Sequence, residues 1–335
     1  MKAAVLYGPK DLKVVETPKP ETGPAGVLVK VKAAGICGTD VHTYRNGIFK
    51  EMSLSIDGGA LIGHEFAGDV VEIGSEAEVP GIQVGDRVAA IDIGAYSEYV
   101  RVGPELLGAP LIFKIPDNVS YEEAATIEPL AVSASTVRRA QPTEKDTVLL
   151  LGAGMIGVGC IQVLKAKYAV KQIFVADISD KRLAMAKDLG ADVAINAKEE
   201  NVVDKMLEMT GSASVLFNTK PTAHVDVVIE CAGVEVTMQQ ALQVVKPVTG
   251  RIMAVALYEE TPITIDLNDA VTKQNHIIGV FAYEEQDLGT AIEMISSGKV
   301  DRKPLITHQY PLDQAKEAFE MQVNTAESFK AVINP

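Results

Sequence analysis

Over the first 125 or so residues, apolar positions come in short alternating runs broken by turns. Val27, Val29 and Val31 alternate with Leu28, Lys30 and Lys32, which makes one face of a strand apolar and the other partly wet. Residues 66–73 read as another strand, ended by Gly74; residues 87–90 follow the Gly85-Asp86 turn, and 96–100 form a further strand. Strands at this spacing predict a small, irregular β-barrel. From about Ala125 the period changes. A buried strand at 147–151 leads to a helix at 155–165, a strand at 172–176, and a helix capped by Asp180 that stops at Gly190. Further strands are expected at 192–195, 225–229, 251–255 and 276–280, alternating with helical stretches. This βαβ rhythm predicts a parallel sheet covered on both faces. Residues 211–224 read as a polar loop longer than usual. After Phe281, a helix at 286–297, an extended stretch at 305–310 and a helix from Leu312 return to the first domain.

The length of 335 residues suits two domains. The division expected is 1–126, completed by 281–335, and 127–280. A net charge of −14 with no basic cluster argues against nucleic acid or an anionic membrane surface as partner. The longest apolar run, 148–161, is too short to span a bilayer, and the first ten residues lack the apolar stretch of a signal peptide. Cys37, Cys160 and Cys231 are widely spaced and odd in number, which fits a reducing cytoplasm better than a disulfide framework. Cys160 and Cys231 read as packing residues set far apart.

Chemistry enters with Gly152-Ala153-Gly154-Met155-Ile156-Gly157, which follows a strand and opens a helix. Gly152 allows the sharp turn, Gly154 lets the backbone approach a pyrophosphate, and Gly157 lets helix and strand pack closely. The free amides from Met155 and Ile156 onward face the phosphates. Asp177, at the end of the next strand, is placed for the ribose hydroxyls and repels a 2′-phosphate, which favours NAD. Lys181 and Arg182 lie nearby and partly neutralise it. The bland alternative, a glycine-rich packing turn with a capping aspartate, does not explain the strand–turn–helix context.

A second set of residues suits zinc. Cys37 lies between Gly35 and Gly38, His64 and Glu65 follow Gly63, and Glu128 precedes Pro129. Thiolate, imidazole and carboxylate bind zinc and leave a position open for chemistry. His64 and Glu65 point apart on a regular strand, so only a kink at Gly63 brings both to one ion. The expected ligands are Cys37, His64 and Glu128, with Glu65 behind them or exchanging in. Taken singly, each has an ordinary alternative: a lone buried cysteine, or a Gly-His-Glu turn. Thr39 and His42, two and five residues past Cys37, suit a proton path to water.

With these residues in place, the chain resembles the zinc-dependent medium-chain dehydrogenase/reductase family, in its sorbitol (polyol) dehydrogenase branch. The resemblance runs nearly end to end. It is carried by Gly-Ile-Cys-Gly-Thr-Asp-Val-His (35–42), Gly-His-Glu-Phe-Ala-Gly (63–68), Ile-Glu-Pro-Leu-Ala-Val (127–132), the glycine motif, and Lys-Pro-Leu-Ile-Thr-His (303–308). It implies an α/β chain with a GroES-like catalytic domain and a Rossmann domain. It further implies Glu128 where other alcohol dehydrogenases use a second cysteine, Val132 against the nicotinamide, and Thr39 and His42 as the proton relay. A homo-oligomer, dimer or tetramer, acting on a small alcohol is the expected assembly. Two departures stand out. Most of the family carries a four-cysteine, structural-zinc lobe between the strands near Val88 and Tyr96; here seven residues separate those positions and none is cysteine. Sorbitol dehydrogenases have Arg-Tyr where this chain has Ala282-Tyr283, which puts sorbitol itself in question.

The expected function is reversible oxidation of a secondary alcohol or polyol to a ketone, using one catalytic zinc per chain and NAD. The rivals are a metal-free quinone or enoyl reductase of the same superfamily, and a non-catalytic dinucleotide-binding protein.

Overall fold

A computed structural model describes every residue except 106–107, 216–217 and 325–326. The chain forms two compact units, Met1–Glu128 with Ala291–Pro335, and Pro129–Thr290. The first unit is mainly antiparallel. Its larger sheet runs in the order Ile306–Pro311, Lys330–Asn334, Val27–Gly35, Glu65–Ile73, Arg87–Ile91, Leu111–Lys114, with Tyr99–Val102 also paired to Val27–Gly35. Lys330–Asn334 lies antiparallel to Val27–Gly35, with Val332 opposite Gly35. The two chain ends therefore meet in one sheet. They also share one core, in which Val27, Val29, Val31, Phe66 and Tyr96 pack with Leu312, Phe319 and Ile333. Burying these side chains together is what makes the ends of the chain one folding unit. A second sheet, ordered Leu12–Glu16, Lys2–Leu6, Gly59–Leu61, Leu54–Ile56, completes it.

The second unit is a six-stranded parallel sheet. Its order is Val193–Asn196, Gln172–Asp177, Thr147–Leu151, Val227–Glu230, Arg251–Ala254, His276–Gly279. This is the 3-2-1-4-5-6 arrangement of a Rossmann sheet, which places its ligand beyond the carboxyl ends of the central strands. Thr147–Leu151 is buried at every position, as a central parallel strand must be. The expected α/β class, a GroES-like β-domain and a Rossmann domain, is the one observed.

Several local expectations change. The segment read as a long polar loop contains an antiparallel pair, Ser212–Val215 with Asn218–Ala223. Cys37 lies in the short connection after Val27–Gly35 and is the N-cap of a helix, Gly38–Asn46, which the Gly-rich sequence concealed. Glu128 stands in the first turn of a helix, Ile127–Ala140, in spite of Pro129, because proline is tolerated where the amides have no helical partner. Ser179 rather than Asp180 caps the next helix, accepting from the Arg182 amide.

Candidate metal centre and dinucleotide site

Strand register assembles the metal centre. Gly35 pairs with Glu65 across the antiparallel strands, so the residues that follow Gly35 and those that precede Glu65 emerge side by side. Gly63 has φ of 91°, a left-handed conformation open to glycine at little cost, and it turns the chain so that His64 and Glu65 reach the same point. The ligand atoms of Cys37, His64 and Glu65 all lie within 4.8 Å of one another. His64 and Glu65 are buried and Cys37 is half-buried.

Electrostatics show what the cluster would hold. Burial pushes the Cys37 thiol up; the neighbouring His64 opposes this, while Glu65 and Asp40 reinforce it. Burial would lower the His64 pKa, but the Cys37 sulfur, Asp40 and Glu128 outweigh it and hold the imidazole well above its ordinary value. Lys330 Nζ donates to Glu65 Oε2 at 2.6 Å and to the Ile36 carbonyl at 2.9 Å. Glu65 Oε1 is buried with no hydrogen-bond partner. One thiol and three carboxyl groups thus crowd one imidazole and one lysine. A divalent cation balances that excess, and the mixed sulfur, nitrogen and oxygen donors suit zinc. Glu128 falls outside the group of three, and its charge acts on His64. Thr39 Oγ1 is buried with no hydrogen-bond partner, and His42, one turn along the same helix, packs edge-on against Phe49.

In the second unit the strand Thr147–Leu151 passes through the glycine turn into the helix Met155–Lys167. A Cβ on Gly157 would stand 2.0 Å from the Gly152 carbonyl oxygen, so the turn closes only with glycine there. Asp177 holds the turn from the next strand: Oδ2 accepts from Ala153 N at 2.7 Å and Oδ1 from Ser179 N at 2.9 Å. The Arg182 guanidinium lies 3.8 Å from where a Gly154 Cβ would be, beside the turn. Ser133, next to the half-buried Val132, donates to the Ile156 carbonyl at 3.2 Å and fixes the helix Ile127–Ala140 against the motif.

Four residues of these sites escaped sequence reasoning. Lys330 and Tyr96 reach the metal centre from remote strands and turns and carry no local signal. Asp40 was visible only as part of a family motif. Glu230, at the end of an apolar strand, is fully buried; it accepts from Ala232 N, Gly233 N and Thr237 Oγ1 through Oε1, and from Tyr258 Oη through Oε2. A carboxylate closing the run Val-Val-Ile-Glu was the signal available. Cys160 and Cys231 do not lie apart: their thiols are hydrogen-bonded, and that contact with burial drives the Cys231 thiol well above its usual pKa. The raised thiol makes Cys231 a poor nucleophile, and Cys160 is fully buried, as suits packing residues.

Among the described residues no helix is long and apolar enough to cross a membrane. Residues 23–117 match the alcohol dehydrogenase GroES-like domain family and residues 156–297 the zinc-binding dehydrogenase family. The chain is 36% identical over 341 residues to sorbitol dehydrogenase of Bos taurus, covering 94% of this chain and 91% of that protein. It is 34% identical over 359 residues to L-idonate 5-dehydrogenase of Vitis vinifera, covering 99% and 94%. The solved structure of 2R,3R-butanediol dehydrogenase from Bacillus subtilis superposes with a TM-score of 0.83 at 30% identity, covering 100% of this chain and 99% of that one. A cysteine–histidine–glutamate cluster on a GroES-like unit, a glycine turn on a Rossmann sheet and relatives of this similarity over nearly the whole length place the chain in the zinc-dependent medium-chain dehydrogenase/reductase family, among its sorbitol dehydrogenase-like members.

Proposed function

We propose that this enzyme oxidises a secondary alcohol or polyol to a ketone, reversibly, with NAD as hydride acceptor and one zinc ion per chain. The observation that carries the reading is the convergence of Cys37, His64 and Glu65 within 4.8 Å in a buried, anion-rich setting. Cys37 and His64 hold the metal, with Glu128 as third ligand and Glu65 behind it. When bound, zinc supplies Lewis acidity at the alcohol oxygen and the nicotinamide takes the hydride. Thr39 Oγ1, buried and without a partner, receives the alcohol proton, and the His42 imidazole passes it to water. Lys330 holds Glu65 in place while this happens. Residues 1–126 and 281–335, together with Glu128, carry the metal chemistry, and the rest of 127–280 carries the dinucleotide through Gly152, Gly154, Met155, Ile156 and Gly157, with Val132 toward the nicotinamide.

Asp177 selects NAD. Its carboxylate is fixed by two backbone amides at the end of the second strand, where a 2′-phosphate would meet negative charge. The named relatives act on sorbitol, idonate and butanediol. These share a secondary hydroxyl beside a second hydroxyl-bearing carbon, and that unit is the substrate class assigned to this chain. Ala282 offers no cation for a distant hydroxyl, which favours short diols over sorbitol. The enzyme works in the cytoplasm as a homo-oligomer. Its copies meet along the strand His276–Gly279, which pairs on one side only among the described residues and carries the exposed Ile277, with the exposed Phe281 two residues past its end.

The test is elemental analysis of dialysed enzyme together with an NAD-linked screen of secondary alcohols and diols. One zinc per chain, lost with activity in Cys37→Ser and His64→Ala, is the expected result. Turnover that survives the loss of all zinc would refute it.

A further inference from the structure

Asp40 ties together the two segments that supply the candidate metal centre. Its buried carboxylate accepts from the Gly63 amide at 3.1 Å through Oδ1 and from the Cys37 amide at 3.1 Å through Oδ2. Oδ1 also lies 3.9 Å from His64 Nδ1, beyond hydrogen-bond reach, so it acts on the imidazole as a charge. One carboxylate therefore touches both loops that supply the thiol and the imidazole. What orients the carboxylate is Tyr96. The Tyr96 hydroxyl reaches Asp40 Oδ2 at 2.7 Å, and the Gly35 carbonyl lies 3.1 Å away. The hydroxyl has a neutral acceptor within reach, yet makes its shorter, charge-assisted contact with Asp40. Burial, then the Asp40 charge, drives the phenol well above its usual pKa, so it remains a donor.

The ring is equally constrained. A Cβ on Gly63 would stand 2.6 Å from Tyr96 Cε2, so the ring occupies the space that the glycine leaves open. Phe319, from the C-terminal helix Ala315–Val323, packs edge-on against it with centroids 5.3 Å apart. The turn that carries Tyr96 is tied to the same loop, because Gly94 N and Ala95 N both donate to the Gly63 carbonyl. A swing of the Tyr96 ring that would carry its hydroxyl away from Asp40 is thus opposed on both sides by packing.

We propose that Tyr96 is a positioning residue of the metal centre: its hydroxyl fixes the Asp40 carboxylate, and Asp40 sets the Cys37 and His64 loops at the spacing that zinc requires. The proposal rests on Cys37 and His64 being zinc ligands. Removing a hydrogen-bond partner of this kind costs about 10–100-fold in metal affinity. Tyr96 acts at one remove, through Asp40, which places Tyr96→Phe near the lower end, about tenfold.

The experiment is a chelator-competition titration of zinc on the full-length wild type, Tyr96→Phe, Asp40→Asn, the double variant and Phe319→Leu, with thermal unfolding of each metal-free protein. Tyr96→Phe keeps the ring, so its metal-free melting temperature stays within a few degrees of wild type while zinc affinity falls about tenfold. Asp40→Asn weakens zinc at least as much, and the double variant is no worse than Asp40→Asn alone. Phe319→Leu lowers the melting temperature and keeps most of the affinity. Unchanged affinity in Tyr96→Phe, additive losses in the double variant, or an equal loss of affinity in Phe319→Leu would each overturn the role of Tyr96. Wild-type zinc that survives Cys37→Ser would instead overturn the ligand assignment on which the role depends.

Discussion

Lys330→Met should be among the most damaging single substitutions in the first unit. Lys330 and Glu65 are 3% and 1% exposed and 2.6 Å apart. At that separation and an effective dielectric of about 20, the attraction is about 6 kcal/mol before desolvation is subtracted. The variant leaves both Glu65 oxygens without a hydrogen-bond donor among the described residues, since Oε1 already has none. Breaking a buried pair by removing one partner costs about 3–5 kcal/mol, because the remaining charge stays buried. For a unit of this size that is a fall of about 6–20 °C in melting temperature. The assay is calorimetry of the chelated and the zinc-replete protein. The loss should be larger in the chelated protein, where nothing else compensates Glu65. Glu65→Gln combined with Lys330→Met should recover much of it. A single variant within 1 °C of wild type, or additive losses in the double variant, would refute the buried-pair reasoning.

Asp287 carries a pH signature. Burial would raise its carboxyl, but the two-pronged contact from Arg138, at 2.8 and 2.9 Å, outweighs burial and holds it below the usual range. Its stabilising contribution is therefore complete above the ordinary aspartate value of about 3.9 and disappears as pH falls through the lower folded value. Wild type should exceed Asp287→Asn by about 1 kcal/mol at pH 6, after allowing for solvent screening at Arg138, and the gap should close toward pH 3; a gap constant with pH in thermal melts would refute this. Asp177→Ser should raise kcat/KM with NADP relative to NAD, and equal use of the two cofactors by wild type would contradict the role given to Asp177. His42→Ala should slow oxidation most at acidic to neutral pH, with partial rescue by added buffer base; an unchanged pH–rate profile would make His42 a packing residue. Ile277→Lys, on the edge strand, should shift sedimentation toward monomer, and an unaltered oligomer would place the interface elsewhere.

The parts of this protein legible in its sequence are those whose physics is local. The strand Thr147–Leu151 announced itself because a central parallel strand is apolar at consecutive positions, and it was located to the residue. The glycine turn was legible because each glycine answers a steric demand within six residues. Boundaries shifted by a residue or two where helix caps compete, as at Ser179 and Asp180. The strand Lys330–Asn334 went unseen, since five residues reading Lys-Ala-Val-Ile-Asn suit a strand only once Val27–Gly35 lies beside them. Lys330 was invisible for the same reason. A lysine near the chain end looks like surface until the sheet carries it 265 residues back to Glu65. Cys160 and Cys231 were misjudged because sequence separation says nothing about distance across a parallel sheet.

The segment 92–98 shows how a short connection changes the metal centre. It joins Arg87–Ile91 to Tyr99–Val102, at the place where the family resemblance leads one to expect a cysteine-rich lobe. Ser97 Oγ donates to the Gly94 carbonyl and the Gly94 and Ala95 amides donate to Gly63, so the turn closes on itself and on the metal loop at once. A lobe organised by its own zinc would be held by that metal; this turn is held by backbone hydrogen bonds and by Tyr96 in the core. We infer that the structure around the candidate metal centre does not depend on a second ion. It follows that chelation should remove activity and leave the circular dichroism spectrum and both cores in place, because burial of apolar side chains rather than a metal closes each unit. Cooperative unfolding on chelation would show that the short turn does not do what its hydrogen bonds imply.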